Sequence, residues 1–524
     1  MPVEIELKLR LSPDKIAGLR RNSLLKSLTI SRPITLKLYT VYYDTSNFDL
    51  KRNDIAFRLR RSGRSGKRWI QSIKGGGSAT GGLHQRYEWE TPVPEAQPDF
   101  SKIDDPSLVK LFGNADLREQ LRPLFTTEFK RSIRMLRLAD GSEAEFSLDQ
   151  GMISANDGSS LPICEIELEL NSGSTLPLYQ LSLELLNTVP LRLENASKAE
   201  RGYALVTGYK SPPVKARPVQ LTGEMNVSEA FKAIAWNCLG HLHGNEAGML
   251  ECRDLEYLHQ MRVALRRIRL VLLIFAKAFA KPAFASVTPE LKWLSRQLGP
   301  ARDWDVFVSR TLADVGENFP EHAGLLALRK KCEQIRREQN DRARKAVDST
   351  RYTELMLKLC AYLSAEFPLT PVRPPSHHVA AEIRLEMPAK EFSDTLLSRG
   401  QAKLKKYSKK LKKLDAAELH ALRIVAKKQR YASEFFAKLF VAKKAKRYIK
   451  SLAELQGTLG TMNDASVAER LLSEVPTEKA KSDEHEAIGI VRGWVANVAL
   501  MKKPELDKVW VDFEKNDSFW QSSH

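Results

Sequence analysis

A chain of 524 residues exceeds one typical hydrophobic core, so two or more domains are expected. With 43% hydrophobic and 28% charged residues, and no apolar run near the ~18 residues of a membrane span, composition excludes a helical membrane protein and a low-complexity chain. The net charge of +19 is uneven: residues 1–210 carry 30 basic and 26 acidic side chains, leaving about +15 for the rest and pointing to a polyanionic partner for the second half.

The chain begins with V-E-I-E-L-K-L over Val3–Leu9, a strict alternation that predicts a strand. Ile5, Leu7 and Leu9 take one face, and Glu4, Glu6 and Lys8 the other. The pattern returns at Ile55–Arg60 (Arg58, Arg60), His84–Glu90 (Arg86, Glu88, Glu90), Glu143–Asp149 (Glu143, Glu145, Asp149) and Glu165–Leu170 (Glu165, Glu167, Glu169). A sheet with one wetted face would not need charges so well segregated. A closed antiparallel barrel with a polar lumen and outward apolar faces accounts for them, and could hold a divalent cation on carboxylates and a polyanion on Arg and Lys.

Gly63–Gly66 and Gly75–Gly82 read as turns and a flexible loop, and lack the G-K-[ST] ending of a phosphate-binding P-loop. Residues 178–188 read as a helix covering the barrel. Lys210–Pro218, K-S-P-P-V-K-A-R-P, reads as a linker, which divides the chain into residues 1–205, a linker at 206–221, and 222–515. The five cysteines have no C-x-x-C spacing, and the N-terminal residues form a charged strand and not an apolar signal. Both point to a reducing, cytoplasmic setting without a structural zinc.

Beyond the linker the period is helical: Ser228–Gly240, Leu255–Phe279, Leu291–Leu298, Ala323–Ala346, Tyr352–Phe367, Leu404–Leu414, Ala417–Phe440, Ala445–Leu459 and Ala465–Leu472. Phe367–Pro375 interrupts it. This half repeats itself at an offset of 161: His259, Arg262, Arg266, Arg267 and Arg269 return as His420, Arg423, Lys427, Lys428 and Arg430, and Leu298-Gly299 with Asp303 returns as Leu459-Gly460 with Asp464. The basic residues recur at i+3, i+7 and i+8 from each His, a face suited to a long polyanion. Aromatic residues do not interleave them as stacking platforms would, which disfavours nucleic acid. Neither repeated His has a second ligand at i+4, and His377-His378 reads as loop, so a zinc chelate is not expected.

Glu4-x-Glu6-x-Lys8 resembles the N-terminal signature of the CYTH domain, the triphosphate tunnel metalloenzymes. Further stretches resemble the family in its order: Tyr43-Asp44-Thr45, Arg58-Leu59-Arg60, Ser72-Ile73-Lys74, Glu88-Trp89-Glu90, Phe125-Thr126-Thr127 with Arg131, Leu148-Asp149-Gln150-Gly151, Glu165-Ile166-Glu167 and Ser197-Lys198. One departure is Ile133, where the family often has a second basic residue, with Arg134 beside it. The resemblance implies an α+β chain whose N-terminal eight-stranded antiparallel barrel hydrolyses inorganic triphosphate. Lys8, Arg58, Arg60, Lys74, Arg131 and Lys198 would hold phosphates. Glu4, Glu6, Glu88, Glu90, Asp149, Glu165 and Glu167 would hold Mg2+, with Mn2+ as the alternative ion; Glu4 and Glu6 also count with the six cations as catalytic. Thiamine triphosphate, a nucleoside triphosphate, and ATP cyclised to cyclic AMP are the rival substrates, and a non-catalytic polyphosphate scaffold is the rival role. H-x-x-R-V-A-L-R-R-I-R with L-G-x-x-R-D resembles the CHAD domain, an all-α duplicated helical domain, which implies binding of inorganic polyphosphate by the repeated His, Arg and Lys residues.

Overall fold

A computed structural model of the chain describes residues 3–62, 68–251, 254–279, 284–366, 385–476 and 482–521. The Gly63–Gly66 turn, Cys252, the proline stretch 367–375 and His377-His378 lie outside the described residues. Among the described residues no helix is long and apolar enough to cross a membrane, and Cys164, Cys238, Cys332 and Cys360 are free thiols.

The chain divides into two compact units, 1–212 with 349–365, and 213–348 with 366–524. The first contains β1 (Val3–Leu11), α1 (Ile16–Arg21), α2 (Ser23–Leu28), β2 (Ile34–Asp44), α3 (Asp49–Arg52), β3 (Ile55–Ser62), β4 (Arg68–Thr80) and β5 (Leu83–Val93). It continues with α4 (Pro106–Phe112), α5 (Ala115–Gln120), β6 (Arg122–Arg137), β7 (Glu143–Ala155), β8 (Ser160–Ser172), α6 (Leu176–Leu186), β9 (Leu191–Leu193) and α7 (Lys198–Thr207).

The strands run in the order β5-β4-β3-β2-β6-β7-β8-β1, and β1 pairs with β5 to close an antiparallel eight-stranded barrel, with β9 added on β1. Alternation does its work on both faces. Leu7 and Leu9 are sealed outside the lumen while Glu6 and Lys8, on the other face of the same strand, are also buried. The register sets the lumen chemistry: Lys8 lies opposite Glu167, Glu6 opposite Glu169, and Arg131 opposite Asp149. β4 leaves register between Gly75 and Ser78, where Gly77 takes φ +111° and a Cβ would meet the Gln85 carbonyl at 1.9 Å, so glycine is required.

Asp44 is buried and caps α3: its carboxylate accepts from the amides of Leu50 and Lys51, both at 2.9 Å, and from the Tyr203 hydroxyl of α7 at 2.9 Å. The Tyr43-Asp44-Thr45 stretch therefore ties α7 to the barrel. Gly202 of α7 faces Phe125 so closely that a Cβ would sit 2.1 Å from the ring. Asp44→Ala would strand two helix amides and a phenol, and is expected to destabilise the first unit by about 2–4 kcal/mol. Urea unfolding followed by tyrosine and tryptophan fluorescence measures this.

A helix from the second half of the sequence, α14, completes the first unit. The intervening elements are α8 (Val227–His243), α9 (Glu246–Glu251), α10 (Leu255–Phe275), α11 (Thr288–Val306), α12 (Leu312–Asn318) and α13 (Ala323–Val347); α14 spans Thr350–Ser364. It packs against α6 and β9, and brings the buried Cys360 thiol close to the buried Tyr179 hydroxyl. Sequence periodicity placed this helix with its neighbours in the helical half, because periodicity shows that a face is apolar and not what it meets.

The second unit is helical. After α13 it continues with α15 (Ala389–Lys405), α16 (Ala416–Phe436), α17 (Ala442–Ser473), α18 (Ser482–Met501) and α19 (Lys503–Glu514). α10 and α16 are both 21 residues long, each capped by an aspartate, Asp254 and Asp415. They meet where Phe275 and Phe436 lie 6.3 Å apart. Ala445–Leu459 and Ala465–Leu472, expected as two helices, form the single α17. The 404–414 segment is the end of α15 followed by a short 3-10 turn. Val214, within the proline-rich stretch, exchanges two 2.9 Å hydrogen bonds with the Asn245 side chain, and Val219 and Leu221 are buried.

Candidate active site and the basic helical face

The barrel lumen encloses a cavity of about 210 Å³. All six expected phosphate-binding cations line it, with Glu4, Glu6, Glu88, Glu90 and Glu167. Asp149 and Glu165 stand behind the wall, 0% and 1% exposed. Two charge groups result. Near the β3–β5 side, Lys74 bridges Glu4 (2.5 Å) and Glu88 (3.0 Å), and Arg58 reaches Ser72 (2.6 Å), Glu88 (3.2 Å) and Glu90 (3.6 Å). Near the β7–β8 side, Arg131 clasps Asp149 with both nitrogens (2.8 and 2.7 Å) and also contacts Glu167. Lys8 joins Glu6 (2.8 Å) to Glu167, and Lys198 reaches Asp149, Glu165 and Glu167.

These pairs fix the protonation states. Burial would lower the Lys8 ammonium, but Glu167 and Glu6 outweigh it and raise it to about 12. Burial likewise opposes charge on Glu167, and Lys198, Lys8 and Arg131 hold it well below the usual carboxylate range. Arg60 has no carboxylate within ion-pair distance among the described residues, and hydrogen-bonds only to Thr40 at 3.4 Å. Burial, with Arg58 and Arg131 nearby, pulls it down to about 10, so it remains charged at neutral pH and is left with an unanswered charge.

Sequence reasoning left four residues out of the expected binding set. Tyr42, Arg86 and Glu169 line the cavity. Arg201, one turn along α7 from Lys198, reaches Glu165 at 2.6 Å. The alternation of β5 and β8 already placed Arg86 and Glu169 on the lumen face. Burial, then Glu4 and Glu145, push Glu169 up to about 7. Arg134 does not replace the basic residue absent at Ile133: it sits opposite Phe146, on the outer face, and donates to the Arg20 carbonyl at 3.5 Å.

Asp149, Glu165 and Glu167 present one oxygen each within 4.8 Å of one another, all three buried. Oxygen donors that close fit a hard divalent cation such as Mg2+.

In the helical unit, α10 and α16 bring Arg262, Arg266, Arg423, Lys427 and Arg430 into one field. Arg262 is held by the Gly299 carbonyl (2.5 Å) and Asp303 (3.1 Å), which gives the L-G-x-x-x-D stretch its role. The Nε atoms of Arg266 and Arg423 are buried with no hydrogen-bond partner. Burial, then Arg423, Arg266, Arg262 and Arg430, depress Lys427 to about 7. His259 is kept neutral, pushed down to about 4 by burial and Arg302, and His420 bonds Asn463 at 2.5 Å. Arg269 is exposed and donates to Ser295 at 3.2 Å, and Lys428 is exposed. Arg267 corrects the sequence reading: it is 2% exposed, stacked over Phe435 at 5.2 Å, because i+8 from His259 turns it off the face that Arg262 and Arg266 share.

Comparison with known proteins places both units. The CYTH domain matches residues 2–203 and the CHAD domain residues 233–473. The CHAD domain from the plant Ricinus communis is 34% identical, covering 58% of this chain and 98% of its own, with a TM-score of 0.51. HpAC1 from Hippeastrum, named as an adenylyl cyclase and described as having a dominant triphosphatase activity, is 20% identical over 40% of this chain and 98% of its own, with a TM-score of 0.30. PptA from Streptomyces chartreusis is 16% identical over 55% of this chain and 99% of its own, with a TM-score of 0.41. The closed barrel with its charged lumen thus matches the CYTH domain, the triphosphate-tunnel fold, over residues 2–203, and through the duplicated helices that follow it in sequence the chain belongs to the CHAD proteins.

Proposed function

We propose that the barrel hydrolyses inorganic triphosphate to pyrophosphate and phosphate with a divalent cation, and that the basic helical face binds inorganic polyphosphate. The observation that carries the substrate reading is the cavity lining. Its one aromatic residue, Tyr42, is only 3% exposed and has one ring face stacked on Phe125 at 4.5 Å and 15°, so it offers little surface for stacking an adenine or a thiamine. The rest of the wall is almost entirely charged.

Tripolyphosphate carries about four to five negative charges, and each close cation gains ~4 kcal/mol at an effective dielectric of 20 before desolvation. Arg60 offers the first uncompensated charge. Lys74 and Arg58 follow as phosphate competes with Glu4, Glu88 and Glu90 for their donors. Glu4, Glu6 and Glu167 on the wall, with Asp149 and Glu165 behind, would hold Mg2+ or Mn2+. Such an ion supplies charge neutralisation of the phosphates and activation of a water for in-line attack. Arg131 and Lys8 keep Glu167 ionised and oriented. A panel of inorganic triphosphate, ATP and thiamine triphosphate, with phosphate and pyrophosphate both quantified, tests this. Inorganic triphosphate should be preferred, with one pyrophosphate per phosphate. Preference for ATP, or polyphosphate binding without any turnover, overturns the reading.

A further inference from the structure

The carboxylate trio behind the cavity already has a cation. The Lys198 ammonium lies 2.7 Å from Asp149, 2.5 Å from Glu165 and 2.9 Å from Glu167. The ammonium donates a hydrogen bond to Glu167 and pairs by charge with Asp149 and Glu165, whose Oε1 is buried without a hydrogen-bond donor. The position is built, not incidental. Lys198 opens α7, whose first turn is locked by reciprocal bonds between Ser197 and Glu200, and its ammonium lies 5.0 Å from the centre of the Phe129 ring. The other cations on the trio approach from elsewhere: Arg131 on Asp149 and Glu167, Lys8 on Glu167, and Arg201 on Glu165.

A divalent ion drawing oxygens to ~2.1 Å from these carboxylates needs the space the ammonium fills. Lys198 cannot sit on the trio and on a phosphate together. Lys198 and Glu167 line the cavity whereas Asp149 and Glu165 do not, so an ammonium leaving the trio has the lumen beside it to enter.

We propose that Lys198 is the resident counter-ion of Asp149, Glu165 and Glu167, and that a divalent cation enters the trio by displacing it into the cavity, where it meets the phosphates. This rests on the metal-dependent reading above. It makes metal and triphosphate mutually reinforcing, since both favour the same displaced lysine.

The test uses the full chain and Lys198→Met, which keeps the stem and removes the charge. Mn2+ binding is measured by calorimetry without phosphate. Lys198→Met should bind Mn2+ at least about tenfold tighter, and more tightly than Lys8→Met, which also removes a lumen charge but vacates no three-carboxylate seat. In the unmodified chain, reductive methylation read peptide by peptide should label Lys198 slowly, and several-fold faster at saturating Mn2+; this arm decides the matter if a variant fails to fold. Mn2+ binding with Lys198 still protected, or equal gains in the two variants, overturns displacement while leaving the metal reading intact. Absence of Mn2+ binding in both the unmodified chain and Lys198→Met overturns both.

Discussion

Glu6→Ala is expected to lower triphosphate turnover about a hundredfold or more while leaving the barrel folded. Glu6 is 7% exposed and stays ionised although burial opposes it, because Lys8 and Lys74 hold the charge. It lines the cavity with Glu4 and lies opposite Glu169, so removing it withdraws a donor from the wall where cation and phosphate meet. Glu4→Ala should act similarly through loss of the Lys74 partner. Phosphate release at saturating Mg2+ measures the effect, and far-UV circular dichroism checks the fold. Turnover like the unmodified chain's, or full activity in excess EDTA, would remove metal from the mechanism.

The second large effect belongs to the helical face. Reversing Arg266 and Lys427 together to glutamate should weaken binding of long-chain polyphosphate about a thousandfold, and flatten its dependence on salt. Arg267 is left out of this test because a charge reversal there would bury an unpaired carboxylate against Phe435. The pH profile carries a sign. Below about pH 7 Lys427 is charged before any ligand arrives; above it the amine is neutral, and an arriving polyanion must bring in a proton. Affinity should therefore fall as pH rises, by about tenfold between pH 7 and 8.5, and Lys427→Met should remove that slope. Competition with DNA at matched phosphate concentration separates shape from charge. Equal displacement by DNA would reduce the face to nonspecific attraction.

The barrel was legible because period two leaves no choice: Glu4, Glu6 and Lys8 had to share a face, and so did Glu165, Glu167 and Glu169. Which of them would meet was not legible. That Lys8 faces Glu167, and that Lys198 ends on three carboxylates at once, depends on strand register and on the angle at which α7 enters. Neither leaves a local mark in the sequence. The helical repeat was legible from its constant offset of 161, which α10 and α16 keep at both ends, although each stops four residues before the expected Phe279 and Phe440. Arg267 was misplaced because a run of adjacent arginines looks uniform as text, whereas 100° per residue separates them in a helix. Arg201 was overlooked although it lies three residues from Lys198, and Arg86 was placed on the lumen face without being counted among the phosphate-binding cations.

The placement of α14 has a consequence for how the protein is made. A ribosome releases the barrel, α6 and the end of the first continuous stretch by residue 212, but the helix that covers α6 is not translated until residue 365. At ~5–20 residues per second, the nascent chain spends roughly ten to thirty seconds with Leu178, Leu181 and Leu185 on a helix whose partner does not yet exist. The first unit is thus finished out of order, after most of the first helical repeat has emerged. During synthesis, α6 is the surface that a holding chaperone would be expected to occupy.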